Sequence, residues 1–137
     1  MLINRRTIRI EWGDCDPANI VFYPRYFEWF DASASQLFER LGKPVQEIFR
    51  EHGVIGMALV DARARFIIPS KTSDVLTIES GVFEWGKSSF KLQHKFYKDG
   101  QLALEGEETR VWVGPHPDDP NRMRGVPIAQ SIKDGLS

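Results

Sequence analysis

Residues 24–42, PRYFEWFDASASQLFERLG, decide the fold. Phe27, Phe30, Ala34, Leu37, Phe38 and Leu41 recur at three- and four-residue spacing, which puts them on one face of a helix. Pro24 suits the first helical position, where the N–H it lacks would go unused. Gly42 and then Pro44 end the segment after about five turns. A helix with so aromatic a face needs a sheet to lie against.

The flanking sequence supplies one. On the N-terminal side, RTIRIEW (6–12) puts Ile8, Ile10 and Trp12 on one face and Arg9 and Glu11 on the other, the period of a strand. Gly, Asp, Pro and Asn make 13–23 a loop. After the long helix, PVQEIFREHG (44–53) predicts a short second helix. Residues 56–69 alternate, with Ala58, Val60, Ala62, Ala64 and Phe66 on one face. A strand over 74–85 alternates until Gly81, where a bulge or bend is expected. Phe90, Leu92, His94 and Phe96 share one side of 88–97. Lys98-Asp99-Gly100 signals a hairpin, and 101–114 is the last long strand. A polar loop (116–125) and a tail with one short helix follow. The short gaps between the later strands require antiparallel pairing. The expectation is one α+β domain over 1–137, an antiparallel five-stranded sheet covered by one helix.

Composition narrows the function. A net charge of −1 without a basic block argues against nucleic acid as a partner. No apolar run is long enough for a bilayer, and the N-terminus lacks the apolar core of a secretory signal. One cysteine cannot form an intrachain disulfide, which fits a reducing cytoplasm. The three histidines and the cysteine show no metal-ligand spacing, so no metal or other cofactor is expected.

The chemistry concentrates in GDCDPANIVFYPRYFEWFDAS (13–33). Asp16 precedes a proline, an arrangement that often only begins a turn. Cys15 is a rival nucleophile that would need one of His52, His94 or His116. The adjacent Asp14 and Asp16 disfavour its thiolate, so an inert cysteine is the better reading. Asp14 reads as a structural residue of the loop. His94, between Phe90 and Phe96, reads as a hydrogen-bonded core histidine.

This stretch resembles the N-terminal signature of the 4-hydroxybenzoyl-CoA thioesterase family of the hotdog-fold superfamily. The likeness continues through HGVIGMALVDARARFIIPSKTSDVLTIES and FEWGKSSFKLQH, and so covers most of the chain. It implies a sheet wrapped around the central helix, and homo-oligomers, dimers or tetramers, with sites between subunits. It implies hydrolysis of an acyl-CoA substrate, with 4-hydroxybenzoyl-CoA or a related aromatic ester the first expectation. An aliphatic acyl-CoA, or a domain that binds acyl-CoA or acyl carrier protein without cleaving it, are the alternatives. It points to Asp16 as the catalytic carboxylate, either nucleophile or base, and to the Tyr23 backbone N–H as polariser of the thioester carbonyl. Tyr26 and Asp31 become candidate polar contacts for the acyl group. Relatives carry a basic run that grips the coenzyme A phosphates where this chain has Gly86, Lys87, Ser88 and Ser89. Lys87, Ser88 and Ser89 are therefore the candidate contacts there. Arg63 and Arg65 are possible substitutes, although a solvated strand face is commoner for such residues. Asn19 stands where a glycine often follows Pro-Ala.

The donor and the carboxylate make sense on physical grounds. A thioester carbonyl gains negative charge when attacked, and a helix N-terminus offers unpaired N–H groups and a positive dipole end. One such donor contributes about 3 kcal/mol of transition-state stabilisation.

Overall fold

Pro24 opens helix α1 (Pro24–Phe38), which continues into a 3-10 turn over Glu39–Leu41 and stops at Gly42, left-handed at φ 98°. The computed structural model describes all residues, Met1–Ser137. Around α1 are β1 (Asn4–Arg9), α2 (Val45–Glu51), β2 (Gly56–Phe66), β3 (Val75–Trp85), β4 (Ser89–Lys98), β5 (Gln101–Pro115), β6 (Met123–Gly125) and α3 (Gln130–Gly135).

The five long strands form one antiparallel sheet in the order β1-β3-β4-β5-β2, and the three-residue β6 adds to β5. Asp99 (φ 51°) and Gly100 (φ 79°) turn β4 into β5. Two consecutive left-handed residues twist with the strands they join, which is why Asp-Gly serves at this hairpin. α1 buries Tyr26, Phe30, Ser33, Ala34, Leu37 and Phe38 against the sheet. Phe27, expected on this face, is 36% exposed. Stepping back by four from Ala34 and Phe30 reaches Tyr26, so the buried stripe turns toward it and Phe27 falls at the rim.

Three further sequence expectations need correction. Trp12 is 79% exposed rather than continuing the face of Ile8 and Ile10. The Ile10 N–H bonds to Asp74 O, and the chain then leaves the sheet into a 3-10 turn over Trp12–Asp14. β2 ends at Phe66 and buries none of its residues. Its register shifts between Leu59 and Asp61, which breaks the expected alternation and leaves Val60 exposed. The irregularity in β3 falls between Val82 and Glu84 instead of at Gly81. Gly81 serves close approach, since a Cβ there would lie 2.9 Å from Leu2 O.

Two apolar clusters fill the space between helix and sheet. The larger gathers Leu37, Phe38, Phe90, Leu92 and Trp112 with α2 and α3. The smaller gathers Ile10, Tyr26, Phe30, Ile78 and Phe96 around the start of α1. Gly106 lets Phe30 lie on the sheet, because a Cβ there would sit 2.2 Å from the ring. A buried polar row, Ser80, His94, Glu108 and Arg110, crosses the inner face in the same layer. His94 is fully buried, with Nδ1 2.7 Å from Ser80 Oγ and Nε2 2.8 Å from Glu108 Oε1, as its reading as a core histidine required.

Candidate active site

The loop before α1 is built by its own aspartates. The Glu11 N–H donates to Asp14 Oδ2 at 2.8 Å, and the Phe22 N–H donates to Asp14 O at 2.8 Å. Asp14 Oδ1 lies 3.7 Å from Arg25 Nε on the helix. Asp14 thus fastens the loop to the start of α1. A bridge between Cys15 and Val21 pinches off 16–20, with the Asp16 N–H donating to Ile20 O at 2.9 Å. Asn19 takes φ 58° at the tip of this small loop, and its Oδ1 accepts from Thr72 Oγ1 at 2.7 Å. Asparagine enters the left-handed region more readily than other non-glycine residues, which suits it to this position.

Asp16 is half-buried at the base of this loop. Its Oδ1 accepts from the N–H of Ala18 at 2.9 Å and of Ile20 at 3.5 Å. Both bonds fall on one oxygen, so the carboxylate is oriented while Oδ2 has no protein donor. Tyr23 follows at the helix N-cap with φ −53° and ψ −33°. Pro24 has no N–H. The N–H groups of Arg25 and Tyr26 donate to Phe22 O and Tyr23 O at 2.9 and 3.1 Å. The Tyr23 N–H donates to no acceptor in the chain. Pro24 and the tight first turn therefore leave one free donor at the helix start, the one the resemblance singled out.

Beside these groups is a cleft of about 290 Å³ lined by Ile20, Tyr23, Tyr26, Phe66, Ile68 and Ser70, among others. Seven of its nine lining residues are hydrophobic, which suits an apolar acyl group. Tyr26 packs edge-on against Trp29, Phe66 and Phe96, and burial pushes its phenol above the ordinary range.

The other candidates lie elsewhere. Lys87 is exposed in the β3–β4 turn, with Ser88 and Ser89 half-buried beside it. β3 starts next to the loop and runs for eleven residues before reaching this turn. That is about 33 Å of strand, so the turn is at the far end of the sheet from Asp16. Lys133 of α3 reaches the same turn, with Nζ 3.0 Å from Gly86 O. Arg63 and Arg65 are on the outer sheet face, 72% exposed and paired with Asp61 and Glu105, the commoner arrangement for such residues. Asp31 stands on α1 outside the apolar cleft, its side chain 70% exposed and held by Arg110. Cys15 touches Thr72 Oγ1 at 3.5 Å and Glu11 O at 3.8 Å, and no histidine. Sequence reading missed Glu108 and Arg110. Their signal was the two-residue period of Leu104, Gly106, Glu108, Arg110 and Trp112, which puts two charges on a core face.

The model of the thioesterase-like superfamily matches residues 10–134 of this chain. The chain belongs to this superfamily. It is 36% identical over 126 residues to a 4-hydroxybenzoyl-CoA thioesterase of Pseudomonas sp. strain CBS-3, covering 88% of this chain and 87% of that one. A 1,4-dihydroxy-2-naphthoyl-CoA hydrolase of Prochlorococcus marinus strain NATL2A is 27% identical over 117 residues, 81% of this thioesterase and 74% of the relative. Among solved structures, a 4-hydroxybenzoyl-CoA thioesterase with an aspartate changed to asparagine, complexed with 4-hydroxybenzoyl-CoA, superposes with a TM-score of 0.90. That match has 32% identity and full coverage of both chains. A gentisyl-coenzyme A thioesterase superposes at 0.83 with 30% identity, covering 98% of this thioesterase and all of the other. The fold is the hotdog fold.

Proposed function

We propose that this thioesterase hydrolyses an aromatic acyl-CoA, 4-hydroxybenzoyl-CoA or a closely related hydroxylated ester, to the free acid and coenzyme A. One observation carries the reading: the unpartnered N–H belongs to Tyr23, which lines an apolar cleft, and Ile20 of the same cleft is hydrogen-bonded to Asp16, whose Oδ2 has no protein donor. The thioester carbonyl oxygen accepts from the Tyr23 N–H, which stabilises the charge that develops on it. Asp16 supplies the attack, adding to the carbonyl carbon itself or taking a proton from the water that adds. In both routes the coenzyme A thiolate leaves and water completes the acid, so no metal or redox cofactor takes part. The acyl ring occupies the apolar cleft beside Tyr26; Asp31, outside that cleft and held by Arg110, is given no contact with it. The aromatic acyl groups named for the relatives support this choice.

The coenzyme A phosphates are assigned to the β3–β4 turn, with Lys87 attracting them and Ser88 and Ser89 donating hydrogen bonds. The length of β3 between Asp16 and this turn supports sites assembled from two chains of a homo-oligomer. So does the apolar surface at Phe22, Phe27, Ile55, Leu59 and Val60, which one chain leaves exposed. No helix is long and apolar enough to cross a membrane. The reaction is assigned to the cytoplasm, where a lone cysteine stays reduced.

The test is a thiol-release assay over aromatic and aliphatic acyl-CoAs with wild type, Asp16→Asn and Cys15→Ser. Wild type should favour hydroxylated aromatic esters. Asp16→Asn should lose more than tenfold in kcat with its Tm kept, and Cys15→Ser should stay active. An Asp16→Asn enzyme with a tenth or more of the wild-type rate would remove Asp16 from the centre of the mechanism.

A further inference from the structure

The apolar cleft contains one residue that its apolar character does not explain. Its lining is isoleucine, valine, phenylalanine, proline and tyrosine, and Ser70 alone has neither an apolar nor an aromatic side chain. Ser70 is 1% exposed, and its Oγ is buried without a hydrogen-bond partner in the chain. Leaving a buried hydroxyl unpaired costs stability, and native proteins keep few such groups. Alanine would serve the packing here and leave nothing unpaired, so the hydroxyl calls for a function. A ligand pocket combines apolar walls with a small number of placed polar groups, and that is what this cleft presents.

Ser70 is held in place. It follows Pro69 in the segment between β2 and β3, where the N–H groups of Ile67 and Ile68 both donate to Ala103 O at 2.9 Å. The Ser70 carbonyl accepts from the Val21 N–H at 2.9 Å, which joins this segment to the end of the Asp16 loop. The Tyr26 phenol is its neighbour. Burial raises that phenol's pKa and a contact from Ser70 lowers it in part. The two hydroxyls complete no hydrogen bond, since Ser70 Oγ has no partner. Tyr26 is fixed in turn by its edge-on contacts with Trp29, Phe66 and Phe96. It follows Tyr23 by three residues, about 4.5 Å along the helix axis and on the same side of α1. The free Tyr23 N–H and the pair of hydroxyls therefore belong to one cleft, less than a helical turn apart.

A serine hydroxyl and a phenol each both donate and accept, which matches a neutral hydroxyl on a ligand. No charged side chain lines the cleft to balance a charged substituent. We infer that Ser70, with the Tyr26 phenol beside it, is a specificity-determining residue that takes the ring hydroxyl of the acyl group. The inference rests on the placement of the acyl ring in this cleft made above. With the thioester carbonyl at the Tyr23 N–H, the hydroxyl on the far side of the ring accepts from one of the two groups and donates to the other. Ser70 Oγ thereby gains the partner that it lacks in the free protein.

The experiment compares two esters that differ by one ring hydroxyl, 4-hydroxybenzoyl-CoA and benzoyl-CoA. It reads kcat/KM and Tm in wild type, Ser70→Ala, Tyr26→Phe and Asp16→Asn. One hydrogen bond between neutral groups corresponds to about fivefold. Ser70→Ala should therefore lower kcat/KM for the hydroxylated ester about fivefold, and for benzoyl-CoA far less. Its Tm should stay level or rise, because the lost hydroxyl has no partner in the free protein. Tyr26→Phe should reduce the same preference while keeping the ring that packs in the core. A serine that serves only the fold would give the reverse, a lower Tm with the preference intact. That result, or equal losses on both esters, would overturn the inference. A wild type indifferent to the hydroxyl, with Asp16→Asn inactive, would overturn the role of Ser70 and leave thioester hydrolysis standing. A wild type that cleaves aliphatic esters and neither aromatic one would instead overturn the aromatic assignment, and the role of Ser70 with it.

Discussion

At the scale of single residues, the candidate site depends on what is left unpaired. Asp14 and Asp16 are two positions apart, yet Asp14 is engaged on both oxygens while Asp16 keeps one open. A hydrogen bond within the loop and the Arg25 ion pair from the helix make that distinction, and composition cannot. Glu108 shows the opposite condition. Burial pushes its carboxyl up, but the His94 hydrogen bond and the Arg110 charge outweigh burial and hold it below the ordinary value of 4.5. A carboxylate with a depressed folded pKa stabilises the fold fully above its unfolded value and loses that contribution as the pH falls through the folded one. The wild type should therefore lose stability as the pH is lowered below about 4.5. Glu108→Gln, whose amide does not titrate, should show a shallower acid limb, read from Tm against pH at fixed protein concentration. Parallel acid limbs would remove Glu108 from the acid response.

At the scale of elements, α1 and the β3–β5 meander were legible because their periods are unbroken. Phe90, Leu92, His94 and Phe96 alternate without interruption, and all four are buried. β2 was misread because its small and apolar residues alternate through a bulge that flips them, and a bulge at Val60 has no glycine to announce it. Trp12 was misread because the strand ends at Arg9, three residues before the pattern does. The free Tyr23 donor followed from Pro24, a local signal. The Asp31–Arg110 link did not, because it joins residues that only the fold brings together. Packing at Gly106 gives an element-level test. Gly106→Ala would push a methyl group into the Phe30 ring and separate α1 from β5. Overpacking of this kind costs about 1–3 kcal/mol, so Tm should fall by several degrees. An unchanged Tm would mean that the helix shifts freely over the sheet. The β3–β4 turn gives another. Lys87→Ala should raise KM for the full coenzyme A ester more than for a truncated thioester without the nucleotide, and more so at low salt. Equal effects on both esters would place Lys87 away from the phosphates.

At the scale of the whole molecule, one chain holds the two halves of the proposed site at opposite ends of its sheet. Mixing tests whether two chains complete it. Asp16→Asn chains co-assembled with chains altered in the β3–β4 turn should recover activity that neither shows alone. Each mixed pair then contains one site with an intact Asp16 and an intact turn from different chains. No recovery in demonstrably mixed assemblies would place both halves in one chain. The strand order also bears on how the chain is made. β1 and β2 form the two edges of the sheet, yet each pairs with a strand that follows it, Asn4 with Ser80 and Gly56 with Val113. The ribosome therefore releases α1, with its aromatic stripe, before any of β3, β4 or β5 exists to cover it. At ordinary rates of synthesis the stripe waits on the order of ten seconds for the meander. Through that interval the aromatic face of α1 has no sheet to lie on, and neither edge strand can pair until the meander is made.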